Sequence, residues 1–351
     1  MNNFKTISRK LIDWYELHKR ALPWRETHNP YKIWISEIIL QQTRVAQGME
    51  YYLRFVKRFP NVKTLADADE QEVLKYWQGL GYYSRARNLH FAAKHIQKEF
   101  QGIFPKDYES IRYLKGIGEY TAAAIASFAY NLPYPAIDGN VLRVISRLFA
   151  IEEPIDTSKG KKTFTEIGQA LIDRENPGIF NQAMMEFGAL QCTPSSPDCS
   201  SCPIRVNCLG YSLKKETMLP IKANRTKTQN RYLYYFRINY KDRFFLRKRE
   251  EKGIWQNLFE FPLIESEIPL DFEKLTSTKE FQELFSGTNP SGFKQILSKK
   301  KHVLSHRILF ADFYELQIEN INEQLNSYIY VTNEEFTHYP IHRLMELYFE
   351  I

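Results

Sequence analysis

The chain has 351 residues, 43% of them hydrophobic, enough for two or three packed domains and too apolar for general disorder. Lys and Arg (48) outnumber Asp and Glu (41), and the net charge of +7 with a pI near 9.0 leans towards a polyanionic partner. The N-terminus, MNNFKTISRK, has no long apolar run and no small-residue cleavage site, so neither a signal peptide nor a membrane anchor is expected and the cytoplasm is the expected compartment.

Phe4, Ile7, Leu11, Trp14, Tyr15 and Leu17 recur at helical spacing and predict an amphipathic helix over 4–20, ended by the turn Arg20-Ala21-Leu22-Pro23-Trp24-Arg25. The stretch Trp34 to Val45 follows. Its Ile35, Ile38, Ile39 and Val45 form an apolar face, with Glu37, Gln41 and Arg44 on the other side, which predicts an amphipathic helix carrying a carboxylate near its start. Asn29-Pro30 supplies the entry, because Asn caps free N–H groups and Pro is tolerated in the first turn. Read alone, this is a surface helix with one solvated Glu. Further amphipathic helices are expected near 47–58 and 70–76. The glycines of Gly79-Leu80-Gly81-Tyr82-Tyr83-Ser84-Arg85-Ala86-Arg87-Asn88 then mark a tight loop, whose tyrosines beside basic residues suit stacking on bases and contact with phosphates.

In residues 113 to 130, Gly116 and Gly118 permit a sharp turn with positive φ, and an Ala-rich helix begins directly after them. This resembles a helix-hairpin-helix, whose exposed N–H groups at the start of a helix dipole grip phosphates without reading sequence. Asp138, in the turn Asp138-Gly139-Asn140, is placed to cap the helix that follows it.

The four cysteines, Cys192, Cys199, Cys202 and Cys208, all fall within CTPSSPDCSSCPIRVNC. A disulfide framework is not expected in a chain of this size with no export signal. Four thiolates on one short loop suit either a tetrahedral zinc or an iron-sulfur cluster, between which ligand chemistry alone does not choose. Arg205, between two of the ligands, is placed to offer its guanidinium to a phosphate.

Residues 212 to 230 are polar, basic and weakly patterned, as in a linker. Beyond them 232–240 and 244–249 read as strands joined by a Lys241-Asp242 turn, so a smaller α+β domain is expected.

Taken together, the Glu37 helix, the hairpin, the Asp-Gly-Asn turn and the cysteine loop occur in the order and at the separations of the MutY-type adenine DNA glycosylases, which the first 220 residues or so resemble throughout. The resemblance implies a multidomain fold: an all-α helix-hairpin-helix glycosylase domain over 1–211 with a cluster loop at 192–208, a linker at 212–230, and a Nudix-like α+β domain over 231–351 that recognises 8-oxoguanine. Gaps of six, two and five residues between the cysteines resemble the loop of the endonuclease III and MutY group, which implies one structural 4Fe-4S cluster. Bifunctional relatives of the endonuclease III kind carry a Schiff-base Lys after the hairpin. Tyr120 stands there instead, which implies a monofunctional enzyme.

By the same resemblance Glu37 is the acid that protonates adenine at N7. Asp138 stays ionised and stabilises the oxocarbenium-like sugar or adds to it reversibly, and Tyr120 and Asn140 position Asp138 and the attacking water. Arg20, Leu22, Trp24, Arg25 and Gln182 match positions lining the adenine pocket. Gln42 and Tyr82 match residues entering the duplex beside the orphaned base, with Thr43 and Leu80 close by. Gly116, Gly118, Arg143 and Arg205 are expected on DNA, as is Lys115, which replaces the family's usual Pro. The run Gly253 to Pro262 resembles the start of a Nudix-like domain, but 263–300 contain no Arg-Glu-x-x-Glu-Glu array, so a binding module without Mg²⁺ chemistry is expected. Leu304, Ser305 and His306 stand where relatives carry a Phe-Ser-His loop that inspects 8-oxoguanine, with Leu304 in place of the aromatic residue. The expected partner is double-stranded DNA bearing A:8-oxoguanine or A:G mispairs, bound by a monomer of bacterial type. A sliding clamp or other repair protein is a further expected partner, and no membrane is.

Overall fold

The computed structural model describes residues 2–224 and 228–350; residues 225–227, part of the expected linker, and the two terminal residues lie outside the described set. The helices up to residue 212 are α1 (Asn2–His18), α2 (Pro30–Leu40), α3 (Val45–Arg58), α4 (Val62–Ala66), α5 (Glu70–Trp77), α6 (Ser84–Glu99), α7 (Tyr108–Tyr113), α8 (Glu119–Tyr130), α9 (Gly139–Leu148), α10 (Ser158–Leu171), α11 (Pro177–Leu190) and α12 (Leu209–Ser212). The chain groups into two compact units, Met1–Asp67 with Asn88–Arg225, and Ala68–Arg87 with Thr226–Ile351. The segment 68–87, which the sequence assigns to the glycosylase domain, therefore groups with the C-terminal residues.

The first unit is helical. Helix α11 packs on α1 and α9, and α2 packs on α3 and α8. Around α11 a core forms from Leu11, Trp14, Val144, Ile145, Phe164, Phe180 and Phe187. Helix α2 starts as its sequence dictates: the Asn29 side chain accepts from the Tyr31 and Lys32 N–H groups, with Pro30 at the first position. It ends five residues earlier than the periodicity predicts, at Leu40, and Gln42 takes φ of 57° in the turn to α3. Nor is it an amphipathic surface helix. Every residue from Ile33 to Ile39 is buried, Glu37 included, because α2 packs on both α8 and α3.

Only one of the two hairpin glycines adopts the expected positive φ. Gly116 does, at 83°, while Gly118 is extended at −95° and caps α8. Residues 212–224 are not a loose linker. Leu219 is buried, its carbonyl accepts from Arg147 Nε at 3.1 Å, and Asp156 accepts from the Ala223 and Asn224 N–H groups at 2.8 and 2.9 Å.

The second unit is built on a mixed sheet of β1 (Gln229–Tyr240), β2 (Arg243–Lys248), β3 (Phe259–Glu260), β4 (Leu263–Ser266), β5 (Ser291–Val303), β6 (Arg307–Gln317) and β7 (Ile329–Val331), with α13 (Phe272–Thr276), α14 (Lys279–Phe285), α15 (Glu323–Asn326), α16 (Asn333–Phe336) and α17 (Arg343–Phe349) around it. The order is β3-β2-β1-β6-β5, with β4 beside β1 and β7 beside β2. Strands β1 and β2 form the expected hairpin, Tyr240 facing Arg243, with Lys241 at φ 54°. Strand β1 is central and parallel to β6, and both its faces are buried: Tyr234, Phe236 and Ile238 pack with α13 and α14, while Tyr235 stacks on Phe313 at 4.7 Å. Between β2 and β3 the wholly buried Glu260 is neutralised by Arg247 and Arg249 and bonded to His342.

Candidate active site

Glu37 points from the middle of α2 into a cavity of about 480 Å³ in the first unit. Tyr120, from the first turn of α8, donates to Glu37 Oε2 at 2.7 Å. Burial pushes the Glu37 carboxyl up to about 7; the Tyr120 hydrogen bond pulls it down and the charge of Asp138 adds to the rise. Asp138 and Asn140 line the same cavity, as do Arg20, Leu22, Trp24, Arg25, Gln182, Gln42 and Thr43. A surface helix would have left this Glu in solvent. Burial in the cavity wall instead makes it an acid poised near neutrality.

Asp138 is held by two hydrogen bonds, from the Val141 N–H to Oδ1 and from Asn140 Nδ2 to Oδ2, both 2.8 Å. Burial raises its pKa and these bonds oppose the rise. Tyr120 touches Glu37 here; the resemblance implied that Tyr120 and Asn140 position Asp138 and the attacking water. Asn140 does fill that position. Its own Oδ1 accepts from Arg143 Nη2 at 2.9 Å, and Arg143 also donates to the carbonyls of Cys192 and Gly188 at 2.8 and 2.7 Å. Arg143 is thus buried and turned inward, and its guanidinium is used up on the protein. This differs from the expectation of a DNA contact. At Gly188 a Cβ would lie 2.7 Å from Asn140 Cβ, so glycine is what lets α11 approach this turn.

The pocket residues carry a charge cluster that the sequence did not announce. Arg20 and Arg25 each grip the Glu186 carboxylate with two nitrogens, at 2.6 to 3.0 Å. Burial alone would raise Glu186, but these hydrogen bonds bring it down to about 2. The available signal was one charged residue in the otherwise uncharged helix α11, Pro177–Leu190. Gln182 accepts from Tyr15 at 2.5 Å, and Leu22 and Trp24 are buried with one face on the cavity.

Cys192, Cys199, Cys202 and Cys208 are brought together around one hollow, with Arg147, Arg205, Tyr211 and Glu216 also on its wall. Among the described residues no three or more His, Cys, Asp or Glu side chains close around a single ion. Burial pushes the thiols of Cys199, Cys202 and Cys208 up, Cys202 to about 11, so holding them as thiolates needs a cationic centre. Arg147 Nη1 stands 3.4 Å from Cys192 Sγ. A donor set of four sulfurs spread around a hollow fits a multi-metal group.

Gln42, Lys115, Gly116, Gly118 and Arg205 are exposed, with Thr43 half-buried. In the second unit Leu80 is buried, its carbonyl accepting from Arg85, so its side chain is packed inside rather than presented. Tyr82 is 51% exposed, and its hydroxyl lies 2.6 Å from Ser305 Oγ in the hairpin between β5 and β6. Ser305 and His306 are exposed and Leu304 is half-buried.

Residues 35–170 match the family model of the HhH-GPD superfamily base excision DNA repair proteins, and residues 233–350 match the NUDIX domain. Adenine DNA glycosylases of two Buchnera aphidicola subspecies are similar: that of Baizongia pistaciae is 39% identical over 305 residues, 86% of this chain and 83% of the relative. The relative from Buchnera aphidicola subsp. Acyrthosiphon pisum is 38% identical over 257 residues, 73% of each chain. A thermostable thymine-DNA glycosylase of known structure superposes with a TM-score of 0.57 at 26% identity, covering 60% of this chain and 98% of that one. A helix-hairpin-helix unit, a Nudix-like unit and relatives matched along most of their length lead to one conclusion: the chain belongs to the adenine DNA glycosylase family of base excision repair enzymes.

Proposed function

We propose that the protein removes adenine mispaired with 8-oxoguanine, or less efficiently with guanine, from double-stranded DNA by flipping the base and hydrolysing its N-glycosidic bond, without cutting the strand. The observation that carries this reading is the pairing in one cavity of Glu37, its pKa raised to about 7, with a second carboxylate, Asp138. Two carboxyl groups in unlike surroundings divide acid and anionic roles between them. The cavity of about 480 Å³ has room for an extruded adenine, and extrusion costs a few kcal/mol.

Tyr120 occupies Glu37 Oε2 and so leaves Oε1 to carry the proton. Glu37 gives that proton to adenine N7 as the bond between C1′ and N9 breaks, with the bonding pair leaving on the base. Asp138, fixed by Asn140 and the Val141 N–H, stabilises the cationic C1′ or adds to it reversibly. Water then bonds to C1′ and loses a proton to the Glu37 carboxylate. The products are free adenine and an abasic sugar. No amine stands at position 120, so strand cleavage through an imine has no nucleophile there.

Gln42, exposed in the left-handed turn after α2, and Tyr82 fill the stack beside the orphaned base, and Ser305 with His306 reads its N7 and C8 edge. Lys115, Gly116, Gly118 and Arg205 hold phosphates. The four cysteines hold one 4Fe-4S cluster, which when bound supplies a covalent tie for the 192–208 loop.

Single-turnover assays on A:8-oxoguanine and A:G duplexes, each split with and without hot alkali, test the proposal. Breaks only after alkali, faster with 8-oxoguanine, are expected. Breaks without alkali, or excision of damaged pyrimidines in preference to adenine, would overturn it.

A further inference from the structure

Tyr82 is held in a conformation that a tyrosine does not choose. Its φ is 47°, in the left-handed region that disfavours a side chain with a Cβ, and the residue is about half exposed. Gly79 and Gly81, both just before it, also have positive φ, at 94° and 71°, so the loop has wide conformational freedom unless something pins it.

Arg85, the second residue of α6, does the pinning. Its Nη2 lies 3.4 Å from the Leu80 carbonyl and 3.2 Å from that of Gly81, the two peptides that lead into Tyr82. The guanidinium carbon stands 5.2 Å from the centre of the Trp77 ring and 5.6 Å from that of Tyr82, so one planar cation faces both rings. Trp77 Nε1 donates to the same Gly81 carbonyl at 3.1 Å. Arg85 is 8% exposed, and burial lowers its pKa only to about 10, so it is charged at neutral pH. For packing alone a buried cation is a poor choice, since an apolar chain of similar volume fills the same space without the desolvation cost.

We propose that Arg85 is a positioning residue for reading the base opposite adenine: it locks the Gly79–Tyr82 loop so that the Tyr82 hydroxyl meets Ser305. This rests on the proposed roles of Tyr82 and Ser305. Methionine at position 85 fills the volume but neither donates nor faces the rings as a cation. Lysine keeps the charge but does not bridge two carbonyls with a planar group.

The test is the ratio of affinities for A:8-oxoguanine and A:G duplexes at one salt concentration, measured on the full chain in a Glu37→Gln background so that the substrate survives. Arg85→Met is expected to lower the ratio by about threefold to tenfold, as the loss of one or two hydrogen bonds implies. Arg85→Lys should fall between it and the unchanged residue. With Tyr82→Ala already in place, Arg85→Met should lower the ratio no further, a result that general destabilisation does not produce. An equal loss with and without Tyr82, or an unchanged ratio in Arg85→Met, overturns the positioning role. If Arg85→Met does not fold, Arg85→Lys decides: an unchanged ratio overturns the proposal and an at least twofold loss supports it. An unchanged ratio in Tyr82→Ala alone would instead overturn the underlying role of Tyr82, and this inference with it.

Discussion

The Tyr120 hydroxyl donates to Glu37 Oε2 at 2.7 Å, joining the first turn of α8 to the middle of α2 across the cavity wall. Because this bond favours the ionised carboxylate, it tempers the rise that burial imposes on Glu37. Tyr120→Phe should therefore raise the apparent pKa of the acid, and the pH profile of single-turnover excision should extend to higher pH while its maximum falls. An alkaline limb that stays in place would separate Tyr120 from the acid.

Glu37→Gln should lower excision by about 10²- to 10⁴-fold, the usual worth of a general acid, with duplex binding kept. Stability gives an independent reading. A carboxyl raised from 4.5 to about 7 binds more protons in the folded state, so its favourable contribution is complete below pH 4.5 and lost as pH rises through about 7. Glu37→Gln should accordingly melt closer to the unchanged protein at pH 5 and above it at pH 8, by an amount on the order of 2 to 3 kcal/mol at most. A melting difference that does not grow with pH would show that Glu37 is not buried as an acid.

Arg143 should behave as a structural residue. It donates to Asn140, Cys192 and Gly188, so Arg143→Ala removes these three bonds and releases the turn that holds Asp138. A fall in melting temperature and in excision rate is expected, with the salt dependence of DNA affinity unchanged. A salt slope shallower by about one would restore it to the phosphate contacts.

Much of this site was legible because its signals are local. The Asp138 cap needs only the turn and the helix after it, the Asn29-Pro30 entry is set by two residues, and the cysteines lie within one short loop. The rest depends on what α2 meets. Its isoleucines were read as one apolar stripe, but packing on α8 and α3 buries the rest of Ile33–Ile39 as well, and that burial is what turns Glu37 from a solvated charge into an acid. Arg143 and Arg20 look alike in sequence, as basic residues near a helix or turn. One is spent on carbonyls and the other on Glu186, a partner 166 residues away.

Purified anaerobically, the protein should be brown, with iron and inorganic sulfide in comparable amounts near four per chain, as a 4Fe-4S cluster requires. Cys199→Ser should reduce solubility and DNA affinity before it reduces the intrinsic rate, because the loop is shaped by its metal. Stoichiometric zinc without sulfide would replace the cluster with a single-ion site.

Ser305→Ala should weaken the preference for 8-oxoguanine over guanine by about twofold to tenfold, the range of one neutral hydrogen bond, and Ser305→Ala with His306→Ala should weaken it further. Leu304→Phe should keep or strengthen lesion affinity if an apolar wedge operates there. Competition binding at fixed salt measures both, and a ratio unmoved by the double substitution would place lesion reading outside this hairpin.

Residues 68–87 are tied to the C-terminal residues by specific polar contacts: Gln78 Nε2 to Glu346 at 2.9 Å, Lys75 to the Tyr339 carbonyl at 3.2 Å, Tyr83 to the Ile341 carbonyl at 3.1 Å, and Arg87 to the Gln256 carbonyl at 2.8 Å. A swap of the C-terminal part with that of another family member, cut at residue 228, would strand these twenty residues among foreign partners. A working chimaera has to exchange both stretches together, and across the family substitutions at Gln78 and Glu346 should travel as a pair.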